Sequence, residues 1–146
     1  MPLAIAALQS GLLSVASDPP GGPTDCAAAW ADAVSAWAAG IVPPSSAVAA
    51  AAGVLEGALA SAFQTTNAAP LMESAFLTFA TSVGGGMAGY VPTPPVAPIG
   101  FATEFAPPYP ASHAEAAANI ASLIDTWMRT GIATLAVPPN TVLPWS

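Results

Sequence analysis

The sequence predicts a mainly α domain: a small bundle of four to five helices with a Pro-rich extended arm and an extended C-terminal tail. Three observations predict it. Apolar residues recur at steps of three and four in segments separated by Pro and Gly clusters. Ser112-His113-Ala114-Glu115 spells a capping box ahead of an apolar run. Seven prolines fall between Tyr90 and Pro110, interleaved with aromatic and aliphatic residues.

Each element follows in order. Leu3, Ile5, Leu8, Leu12 and Val15 outline a short amphipathic helix within residues 2–16. Asp18-Pro19-Pro20-Gly21-Gly22-Pro23 interrupts it. Thr24 or Asp25 is the expected N-cap of a second helix, on which Trp30, Val34 and Trp37 share a face up to Ala39. Pro43-Pro44 ends that segment. Ser45 or Ser46 is expected to cap a third helix from Ala47 to Gln64, with Val48, Leu55, Leu59 and Phe63 as its stripe. A fourth helix begins near Pro70, which a first turn tolerates. It carries Met72, Phe76, Phe79 and Val83 and ends at Gly84-Gly85-Gly86. The capped helix runs to about Thr130, with Ile120, Leu123, Ile124, Trp127 and Met128 on its apolar face. The segment from Ile132 reads as a short strand or extended tail, with Trp145 as a docked plug. The helical body (1–90), the Pro-rich extended arm (91–111) and the capped helix plus tail (112–146) are expected to pack as one domain. The arm is expected to be extended and partly polyproline II, its aromatics lying on the body or on a neighbour.

Composition excludes several functions. Of 146 residues, one is Lys or Arg and eight are Asp or Glu, for a formal net charge of −7. Nucleic acid is an unsuitable partner, because phosphate needs a row of cations and Arg129 is the chain's one base. Phosphoryl chemistry needs a Lys or Arg clamp. Alanine supplies 36 residues and buries little area each, but it lets helices approach closely. Too few charges remain to cover the outside. An exterior of that kind predicts partners that cover it.

The residues that carry chemistry elsewhere have structural roles here. The capping box accounts for Ser112 and Glu115 beside His113, so no catalytic residue is assigned. With one His and one Cys no metal site is expected, and no cofactor or small-molecule substrate is implied. Cys26 reads as a small buried residue near a helix start, with an intermolecular disulfide or reactive thiol as the other reading. Asp125 and Arg129 form an i, i+4 pair worth a few tenths of a kcal/mol. The first 16 residues lack the cationic start of a signal peptide. The stretch from Ser46 to Phe63, the nearest candidate for a span, is mostly alanine with Glu56 inside it. A membrane partner is therefore disfavoured.

One resemblance covers residues 84–146. Gly85-Gly86-Met87-Ala88-Gly89-Tyr90 precedes the Pro-rich arm, and Phe101 leads through Tyr109-Pro110-Ala111. The later helix ends Trp127-Met128-Arg129-Thr130-Gly131, and Val142-Leu143-Pro144-Trp145-Ser146 follows. This pattern resembles minor virion structural proteins of tailed bacteriophages. The resemblance implies a structural subunit of a symmetric assembly, a phage virion or tail component of contractile-tail type, located in the virion after assembly in the host cytoplasm. Its partners would be other copies of itself and other virion structural proteins. Tyr90, Phe101, Phe105, Tyr109 and Trp145 are the expected interface residues, and binding would come from apolar burial with few ion pairs. The alternative is a membrane-associated small helical protein.

Overall fold

The structure, a computed structural model, describes residues 2–146; Met1 lies outside the described residues. Among these residues are six helices and a three-stranded antiparallel sheet. The mainly α class is as expected. The helices are α1 (Ile5–Ser17), α2 (Pro23–Ala38), α3 (Val48–Ala62), α4 (Ala68–Gly85), α5 (Phe101–Glu104) and α6 (His113–Met128). The strands are β1 (Tyr90–Thr93), β2 (Ile132–Leu135) and β3 (Val142–Pro144).

The helical stripes form the core. Leu8 and Leu12 of α1, Val34 and Trp37 of α2, and Val48, Leu55 and Leu59 of α3 are buried. So are Met72, Phe76, Phe79 and Val83 of α4, and Ile124, Trp127 and Met128 of α6. Trp30 and Phe63 stay half-buried and meet edge to face at 5.9 Å. Alanine sets the spacing, with Ala27, Ala31, Ala38, Ala51, Ala62 and Ala80 buried between helices. A Cβ at Gly11 would lie 2.6 Å from that of Ala33, so α1 and α2 approach as closely as small residues permit.

Helix starts differ in mechanism. Ser112 Oγ accepts from the Glu115 amide at 3.1 Å, and Glu115 reaches back to the Ala111 amide at 2.8 Å. This is the capping box the sequence spells. Neither Thr24 nor Asp25 caps α2. The cap position falls on an extended Gly22, two residues before Thr24, and the helix starts at Pro23, because proline lacks the N–H that a first turn leaves unpaired. At α3 the cap position falls on Ala47, whose amide donates to Ser45 Oγ at 3.2 Å. Ser45 in turn donates to the Val83 carbonyl at 2.5 Å, which ties the start of α3 to the end of α4.

The arm lies on the body, one of the two placements the sequence left open, and it carries local structure of its own. Its start belongs to β1, and Phe101–Glu104 forms the one-turn helix α5. Neighbours in the bundle run α6, α1, α2, α3, α4, and α5 touches both α4 and α6. The Pro-rich segment thus fills the gap between the two ends of the row. The C-terminal segment, expected as a short strand or extended tail, supplies two strands.

In the sheet, β2 lies between β1 and β3, with Val91 opposite Thr134 and Thr134 opposite Val142. Side chains alternate between faces. Pro92, buried Ala133 and Leu143 point towards α4, where a Cβ at Gly84 would meet Pro92 at 2.9 Å. Val91, Thr93, Ile132, Thr134, Val142 and Pro144 occupy the other face.

Candidate functional site

The five expected interface residues divide. Phe101, first residue of α5, is buried and tilts against Phe76 with ring centroids 5.4 Å apart. Trp145 is 1% exposed. Its ring lies between Gly84 and Gly131, where an added Cβ would come within 3.2 Å and 2.5 Å of ring carbons. The docked-plug expectation is met. Both residues therefore face the chain's own interior and present nothing to a partner. Tyr90 is half-buried against the core. Phe105 stacks on Phe101 at 5.7 Å and is 39% exposed. Tyr109 alone of the five stands well out, at 68%.

Polar side chains are turned to structural work. Glu73, on the first turns of α4, accepts three backbone amides: Ile99 at 2.7 Å, Gly100 at 2.8 Å and Phe101 at 3.0 Å. It fixes the entry to α5, where Gly100 takes a φ of 105°, a left-handed value that favours glycine. On the opposite side, Trp127 Nε1 donates to the Ala97 carbonyl at 2.5 Å. Asn119 donates to Glu104 at 3.0 Å. The bonds to Glu73 and Glu104 are charge-assisted and stronger than neutral ones, and with the Trp127 bond they hold the strap from Ala97 to Glu104 from both helices.

Two small clefts flank the strap. One, of about 200 Å³, is lined by Glu73, Ser74, Leu77, Val96, Ala97, Pro98 and Trp127. The other, of about 270 Å³, has Ser122, Thr126 and Thr130 along α6. Glu73 is the one ionisable side chain lining either, and it already binds three amides. His113 lies exposed at the start of α6. Among the described residues no three His, Cys, Asp or Glu side chains gather where they could hold a metal ion. No helix among the described residues is long and apolar enough to cross a membrane. Burial pushes the Cys26 thiol above its ordinary value.

No family model, curated protein or solved structure matches this chain. One uncharged part of the surface is the outer face of the sheet. Val91 and Val142 are 59% and 55% exposed and flank Thr134 in one cross-strand row. Thr93, Ile132 and Pro144 make the second row. Sequence reasoning missed this face. Val91 lay in the expected arm and Val142 in the expected tail, and pairing through β2 brings them together.

Proposed function

We propose that the protein is a structural subunit of a symmetric assembly, contacting further copies and companion proteins through uncharged faces. One observation supports this reading. The sheet turns two rows of apolar and β-branched side chains to solvent, while the chain's one basic side chain, Arg129, is bound to Asp125. Single exposed hydrophobes are ordinary; here Val91 and Val142 stand exposed on either side of Thr134 in one row. The geometry suits binding by apolar burial, and the side chains with directed bonds serve to rigidify the subunit.

A tailed-phage virion is the setting we assign, from the likeness of residues 84–146 to minor virion proteins. Copies of the chain and other virion proteins would then be the partners. The test is mass in detergent-free buffer by light scattering over a wide concentration range. Mass rising above the 14.3 kDa of one chain is expected. A single monomeric species at every concentration overturns the proposal.

A further inference from the structure

We draw no further inference here: the strongest candidate, the cleft of about 270 Å³ between the strap and α6 with Ser122, Thr126 and Thr130 along one wall, has no ionisable side chain in its lining, and nothing in the structure shows what covers it.

Discussion

The Trp37 indole donates to Asp125 Oδ1 at 3.1 Å, joining α2 to α6 across 88 residues of chain. The same carboxylate receives Arg129 Nε at 2.7 Å and Nη2 at 3.2 Å, and Nη2 also reaches the Leu3 carbonyl at 2.7 Å. Three separate parts of the chain thus meet around the Asp125–Arg129 pair, and Asp125 itself is 7% exposed. An Asp125→Ala change leaves the indole unpaired and the guanidinium without its counter-charge. Breaking a fully buried pair costs about 3–5 kcal/mol, and Arg129 is partly solvated, so about 2–3 kcal/mol is expected here. Asp125→Asn keeps an acceptor for Trp37 and loses less. Urea denaturation checks both, and an unchanged midpoint for the alanine variant contradicts the network's role.

Glu73→Ala removes the acceptor for the Ile99, Gly100 and Phe101 amides together. The three bonds are only partly buried, so water replaces part of the loss and about 2 kcal/mol of stability is expected to go. The more specific sign is local. Amide exchange at residues 99–101 should accelerate well beyond that in α2 or α3. Glu73→Gln keeps one carbonyl oxygen and should fall between. Uniform acceleration across the chain would mean that Glu73 serves global stability and not the strap.

These contacts mark where the sequence stops being readable. The stripes of α2, α3, α4 and α6 are visible because helical periodicity is local, and the capping box lies within four residues. Glu73 looks like an ordinary acid near a helix start, since its three amides lie 26 to 28 residues further on. Asp125 and Arg129 read as a surface pair because Trp37 and Leu3 are distant in sequence. Pro92 makes β1 look like part of an irregular arm, and its strand character comes from pairing with residues some 40 positions later. Composition marked Phe101 and Trp145 as sticky, yet whether an aromatic side chain points in or out is settled by packing. The uncharged outer face of the sheet exists only once that pairing is made.

Gly131 and Trp145 make a tight pair. A Cβ on residue 131 would sit 2.5 Å from Trp145 Cδ2 and 2.6 Å from Cε3. The indole is enclosed, so it cannot simply move aside. Gly131→Ala is therefore expected to cost about 1–3 kcal/mol by overpacking. Trp145→Ala should cost about 3–5 kcal/mol through the cavity it leaves. Trp145→Phe should be milder than Trp145→Ala, because the buried Nε1 has no hydrogen-bond partner to lose. Thermal melts of the three variants give the order. A phenylalanine variant as damaged as the alanine one would mean that the indole nitrogen makes a bond.

Cys26 gives the pH prediction. It lies in the first turn of α2, a position that favours a thiolate, but desolvation by burial raises its pKa above 9.0. The folded chain thus holds this proton more tightly than the unfolded chain does. The resulting stabilisation is full below the unfolded value and is lost as pH rises through the folded value. Wild type should therefore lose stability above pH 9.0 more steeply than Cys26→Ala, in which nothing titrates at this position. Alkylation at mildly alkaline pH should also run slower in the folded protein than in the urea-unfolded chain, since the thiolate is the nucleophile. Parallel stability curves for wild type and Cys26→Ala would show that the thiol contributes no pH dependence, and faster alkylation of the folded form would show that the helix N-terminus outweighs burial.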